Sequence, residues 1–192
     1  TQSQFEPIRI SDRLWIVPTW CEPPAPDAIV LRLDPGLAFG TGSHPTTSLC
    51  LRWLDQHLVP GERVVDYGCG SGILGVAAGL LGAGEITGVD IDPQAVSASR
   101  DNATANGVIA TFHEPDAAPV APGDVVVANI LANPLRVLAP LICSLAKPGG
   151  RIVLSGILTD QAESVREAYR PHVDFEAPLE EEGWVCLWGT RR

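Results

Sequence analysis

Three runs in this sequence bring polar or flexible residues to points where apolar strands end, and each suits a different part of a ligand. The first is Val64-Val65-Asp66-Tyr67-Gly68-Cys69-Gly70-Ser71-Gly72-Ile73-Leu74. A hydrophobic strand runs into three glycines at alternate positions, and a helix follows. Glycines at such a point let the chain turn tightly and let a ligand approach the backbone without meeting a Cβ. The helix N-terminus adds free N–H groups and the positive end of its dipole, which suit a carboxylate. Gly68 and Gly70 are therefore candidate ligand contacts, although a plain strand-to-helix turn has the same composition.

The second run, Val89-Asp90-Ile91-Asp92-Pro93, closes the next strand with a carboxylate twenty-two residues after Gly68. Doubly wound folds hold a ribose through its hydroxyls at this place, and a carboxylate accepts well from two vicinal hydroxyls. Asp90 is the candidate for that role. Asp92, followed by Pro93, reads instead as a helix N-cap. The third run, Val125-Val126-Val127-Ala128-Asn129-Ile130-Leu131-Ala132, ends the fourth strand on an amide. Ligands in open α/β sheets sit beyond the carboxyl ends of strands near a switch in strand order. The Asn129 carbonyl can accept from an amine nucleophile there, and a turn-forming asparagine is the competing reading.

Gly70-x-Gly72-x-x-Gly75 also matches the dinucleotide fingerprint. Against that stands Asp66, two residues before the first glycine, which would repel a pyrophosphate and welcome an ammonium group. An adenosine carrying an amino acid moiety describes S-adenosylmethionine, and a methyltransferase is the reading this supports. No G-x-S-x-G elbow is present, so a hydrolase of that type is excluded.

The elements that must position these residues alternate regularly. Strands are predicted at Arg63–Tyr67, Glu85–Asp90, Ala110–His113, Asp124–Asn129, Arg151–Ser155, Asp174–Ala177 and Trp184–Gly189. Helices are predicted from Pro45, with His44 or Ser43 as cap, and near Ile73–Leu81, Pro93–Asn106, Leu135–Leu145 and Thr159–Tyr169. The Val-rich strands scarcely alternate, as in a sheet covered on both faces, and the series implies parallel strands with right-handed crossovers. The expected fold is α/β: a doubly wound, Rossmann-like, mostly parallel seven-stranded sheet with an antiparallel edge hairpin. Residues 1–28 read as a proline-rich linker arm with one short strand, Leu14–Val17, and residues 29–192 as the catalytic domain.

At 192 residues, 45% hydrophobic and 19% charged, the chain is long enough to bury one full core. No apolar run reaches the roughly 20 residues of a membrane span, and the polar N-terminus does not read as a signal peptide. Five scattered cysteines form no C-x-x-C pair and no metal-ligand spacing with the four histidines. They predict free thiols in a reducing, cytoplasmic compartment and no metal. A net charge of −10 argues against direct nucleic-acid binding through a basic groove. It favours a small molecule or a basic protein partner, with ordinary solubility as the competing explanation.

With these runs in place, the sequence resembles the bacterial ribosomal protein L11 methyltransferases. The resemblance rests on LDPGLAFGTGSHPTTSLCLRWL, VVDYGCGSGILGVAA, GVDIDPQAVSASRDNATANG and DVVVANILANPL, with later matches at LSGIL and QAESVREAY, from about Phe5 to Trp188. It implies a class I methyltransferase acting on lysine or N-terminal amino groups of a large-subunit ribosomal protein; a methyltransferase for another protein or a small-molecule amine is the alternative. Carried over residue by residue, it implies cofactor contacts at Thr47, Gly68, Asp90 and Asn129, with the loop before Thr47 closing over the cofactor and Phe39 stacking or packing there. Family members carry an N-terminal substrate-recognition domain. The chain begins at Thr1, holds no methionine, and matches from the linker onward, so a piece lacking most of that domain is expected.

Chemically, departure of a neutral thioether needs little acid–base help, and the enzyme's part is in-line positioning and exclusion of water. The amine must be neutral, against an ordinary lysine value near 10.4, and desolvation beside Asn129 would favour that form. No convincing general base is legible, and His44, just before Pro45, reads as a loop or cap residue.

Overall fold

The computed structural model describes residues 6–34 and 44–192. The glycine-rich loop that contains Phe39 lies outside the described residues. The N-terminal stretch forms a small sheet of its own: β1 (Ile8–Arg9) pairs antiparallel with β2 (Leu14–Val17), which pairs parallel with β3 (Ile29–Arg32). Leu14, Ile16 and Leu31 are buried in one cluster with Leu49, Trp53 and Leu54 of α1 (Pro45–His57). The side chain of Asn106 closes β3 as a neighbouring strand would, accepting from Arg32 N at 2.6 Å and donating to Arg32 O at 2.9 Å.

The main sheet follows the predicted alternation. It contains β4 (Arg63–Tyr67), β5 (Glu85–Val89), β6 (Thr111–His113), β7 (Gly123–Asn129) and β8 (Ala146–Leu158), parallel in the order β6-β5-β4-β7-β8. Strand order reverses between β4 and β7, which opens a crevice above their carboxyl ends. Helices α2 (Ile73–Leu80) and α3 (Pro93–Ala105) join α1 over the face carrying Val64, Val125 and Val127. Val65, Val126 and Ala128 face the other way, onto α4 (Ala132–Val137), α5 (Ala139–Ser144) and α6 (Ala162–Tyr169). Adjacent valines thus serve opposite cores, which is why these strands read as continuous apolar runs.

Beyond β8 the sheet ends in the expected antiparallel hairpin, with one difference in strand count. The outer strand is broken into β9 (Val173–Phe175) and β10 (Leu179–Glu181), both paired along β11 (Trp184–Arg191), so among the described residues the sheet has eight strands in seven positions. Pro178 stands in the gap, where a missing N–H removes a ladder bond. Glu182 and Gly183 connect β10 to β11 with φ of 50° and 82°, the two positive values a type I′ turn requires.

The helix expected over Leu135–Leu145 is two short helices, α4 and α5, parting at Leu138. Pro140 cannot donate to a carbonyl one turn back, so a single helix cannot continue through it. At Thr159–Tyr169 the first turn is a 3₁₀ turn, Thr159–Gln161, ahead of α6. No helix among the described residues is long and apolar enough to cross a membrane.

Candidate active site

A cleft of about 790 Å³ opens above the carboxyl ends of β4, β5 and β7. Gly68, Gly70, Asp90 and Asn129 all line it, so four of the five predicted site residues share one wall system. The fifth, Thr47, lies behind that wall. It is 1% exposed in the first turn of α1, and its hydroxyl accepts from Asn129 Nδ2 at 3.2 Å.

Each position follows from local structure. Gly68 (φ 74°) and Gly70 (φ 55°) turn the chain from β4 towards α2. A Cβ on Gly68 would come within 2.6 Å of Ile130 Cγ2, so glycine is what lets Ile130 pack this close to the turn. The turn is tied to β5, with Gly68 N and Cys69 N donating to Val89 O at 2.8 and 3.0 Å. Asp90 follows directly. One of its oxygens accepts from Gly70 N and the other from Asp92 N, both at 2.9 Å. Each oxygen keeps a lone pair for a further donor, and the two backbone bonds fix the plane of the carboxylate. Asp92 accepts from Gln94 N at 2.9 Å and caps α3, with Pro93 at its first position, as expected.

His44 is likewise a cap: its Nδ1 accepts from Thr46 N at 3.3 Å and sits 2.9 Å from Thr46 Oγ1. Its ring also meets Trp184 edge-on, centroids 5.0 Å apart, and both residues line the cleft.

Asp66 departs from expectation. It is 1% exposed and stands beneath the glycine turn, on the same sheet face as Val64, with Oδ2 accepting from Gly75 N at 3.1 Å. Strand alternation sends its side chain towards α2, and it is absent from the cleft wall. Burial raises its carboxyl to about 7, with the Gly75 N–H opposing and the charge of Asp90 adding. Cys69, within the turn, is pushed up to about 12 by burial and by Asp66, and so stays a thiol without nucleophilic character.

Among the described residues, no lysine or arginine lines the cleft, whereas Asp90 and Asp92 do. That charge pattern favours a cationic group near the two aspartates. No group of three or more potential metal ligands occurs among the described residues. Residues the sequence reading passed over complete the walls: Tyr67, Ile91, Ile130, Leu131 and Trp184. Ile91, 83% exposed between two aspartates, carries no readable signal, since single exposed apolar side chains are common and Ile109 is more open still. Trp184 carries none either. It arrives because β11 pairs it with Leu158 of β8, far away in sequence.

Comparison with known proteins adds an independent line. The chain matches the family described as ribosomal protein L11 methyltransferase (PrmA) over residues 1–192. It is 64% identical over 192 residues to the ribosomal protein L11 methyltransferase of Chromobacterium violaceum and 59% identical over 191 residues to that of Ralstonia pickettii. These matches cover 100% of this chain but 64% of each relative's length. Among solved structures, the ribosomal protein L11 methylase of Lactobacillus delbrueckii subsp. bulgaricus superimposes with a TM-score of 0.89 at 33% identity, covering 98% of this chain and 100% of that one. A T. thermophilus 16S rRNA methyltransferase, solved with AdoMet and guanosine, has a TM-score of 0.67 at 24% identity over 81% of this chain and 45% of that one, and shares the fold.

Proposed function

The chain belongs to the ribosomal protein L11 methyltransferase (PrmA) family, and on that premise we propose that its cleft binds S-adenosylmethionine and transfers the methyl group to amino groups of ribosomal protein L11. The acceptors are lysine side chains, the N-terminal amine, or both, and the setting is cytoplasmic. The observation that carries this reading is the convergence of Gly68, Gly70, Asp90 and Asn129 on one cleft whose wall holds two aspartates and, among the described residues, no lysine or arginine.

The residues present fit the cofactor. Asp90 offers one free lone pair on each oxygen, suited to two vicinal ribose hydroxyls. Gly68 and Gly70 bring backbone without a side chain to the cleft wall, where a ligand meets no Cβ, and α2 starts just beyond that turn with the positive end of its dipole. Ile91 provides an apolar surface beside Asp90 for a flat ring. When bound, S-adenosylmethionine supplies an electrophilic methyl on a sulfonium that leaves as a neutral thioether.

The chain's own task is then to present a neutral amine in line. The Asn129 amide is oriented by Thr47, which takes Nδ2. Oδ1 is thereby left to accept an amine N–H and to direct the nitrogen lone pair. His44 and Trp184 stand as an aromatic wall of the same cleft, and Ile130 and Leu131 narrow it with apolar surface. Removal of water by these groups favours the uncharged amine. No side chain on the wall is assigned as general base.

Calorimetry on the chain with S-adenosylmethionine, S-adenosylhomocysteine and NAD tests the reading. The first two should bind and NAD should not. Binding of NAD in preference to both would reverse the assignment.

A further inference from the structure

Asn129 and Ser155 are the last register partners of the parallel pair β7–β8. Beyond them Gly156 turns with φ 92°, so close to β7 that a Cβ on it would lie 2.1 Å from Ile130 O. That approach fixes Ser155 beside Asn129. Ser155 is fully buried, and its hydroxyl donates to Thr46 O at 2.8 Å. Thr46 and Thr47 form the first turn of α1, whose entry is capped by His44. One side chain therefore ties three parts of the site together: the sheet end that carries Asn129, the helix turn that carries Thr47, and the cap that lines the cleft.

We propose that Ser155 is a positioning residue that holds the first turn of α1 in register with the end of β7, so that Thr47 engages Asn129 Nδ2 and Asn129 Oδ1 faces the acceptor amine. The inference deepens the methyl-transfer reading and rests on it. Ser155 does not line the cleft and acts through Thr46 and Thr47. An asparagine amide rotated by half a turn would offer an N–H where an acceptor is required, opposing the approach of an amine N–H. A displacement near 1 Å suffices for a large loss in an in-line transfer. The Ser155–Thr46 bond is the one side-chain hydrogen bond that links β8 to that turn among those the described residues show.

The test combines three measurements on the chain: the Asn129 side-chain amide by NMR after selective ¹⁵N-asparagine labelling, affinity for S-adenosylhomocysteine by calorimetry, and single-turnover transfer to saturating ribosomal protein L11. In Ser155→Ala the Asn129 amide resonances should move, and the transfer rate should fall at least about tenfold. Affinity should stay within about threefold. Adding Thr47→Val should cause little further loss, because both changes act through the same amide. Ser155→Thr, which keeps a hydroxyl, should restore the native amide resonances and most of the rate. Where Ser155→Ala does not fold, Ser155→Cys, close in size but a weak donor, should show the same displacement of the amide. Unmoved Asn129 resonances, or losses that multiply fully in the double variant, would overturn the proposal. Failure of the unsubstituted chain to bind S-adenosylhomocysteine would instead remove the methyltransferase reading, and the amide resonances would still decide the role of Ser155.

Discussion

Asp90 accepts the Gly70 N–H at 2.9 Å, so the end of β5 and the glycine turn after β4 are a single rigid unit. A ligand gripped by the carboxylate is thereby also set against the turn. Asp90→Ala should weaken S-adenosylhomocysteine binding by about 2–4 kcal/mol, since hydrogen bonds to a charged group contribute roughly 1.5–3 kcal/mol each. Asp92→Ala should cost about 1 kcal/mol of stability through the lost cap of α3, with little change in affinity. Calorimetry and thermal unfolding separate the two. Unchanged affinity in a folded Asp90→Ala protein would remove the ribose assignment.

Asn129→Ala should act on the transfer step. The rate of methyl transfer at saturating substrate is expected to drop about 10²-fold or more, with a much smaller effect on cofactor affinity. Near-normal turnover would move the amine-orienting role to another residue on the cleft wall.

Asp66 should give the protein a pH dependence of its own. Its folded-state value, about 7, lies above that of an exposed aspartate, so the folded state holds this proton more tightly than the unfolded one. Stability from this group is present in full at low pH. It is lost as pH rises from about 4 towards 7, and changes little beyond. Asp66→Asn keeps an oxygen for Gly75 N–H and removes the titration, so urea unfolding between pH 5 and 8 should show a flatter profile, with a gain in stability at pH 8. A variant whose profile parallels the native one would show that Asp66 stays ionised in the fold.

The chain spans 64% of the length of its curated relatives, and the proposed cofactor contacts Gly68, Gly70, Asp90 and Asn129 share one cleft in it. Cofactor affinity should therefore match that of a full-length relative. Stable recognition of a protein substrate takes about 800 Å² per partner, and a tethered recognition module adds an effective concentration in the millimolar range. On that basis kcat/KM towards ribosomal protein L11 should be at least about 10²-fold below that of a full-length relative, mainly through KM. Equal kcat/KM would place recognition within these 192 residues.

The strand ends were the most legible part of the sequence, because an apolar run that stops on Gly68, Asp90 or Asn129 marks both the end of a buried strand and the mouth of the crevice above it. Caps were equally readable, since His44 and Asp92 each precede a proline at the first helical position. The break between α4 and α5 was signalled by Pro140 but masked by a continuous apolar periodicity. Asp66 misleads because its charge suggests a ligand, whereas the two-residue period of β4 turns it towards α2. The Thr47–Asn129 bond and the arrival of Trp184 depend on pairings between segments distant in sequence, and no local pattern announces those.

The broken strand at the sheet's outer margin has a consequence for how the molecule meets other copies of itself. An intruding strand would find only Leu179–Glu181 and Val173–Phe175 on offer, with Pro178 supplying no donor between them. It would also have to approach Glu180 and Glu182, both open to solvent. Carboxylates clustered on so short a margin repel a like-charged neighbour. This border should therefore stay unzipped even in concentrated solution, which keeps the adjoining hairpin, and Trp184 beside its turn, free to serve the cleft.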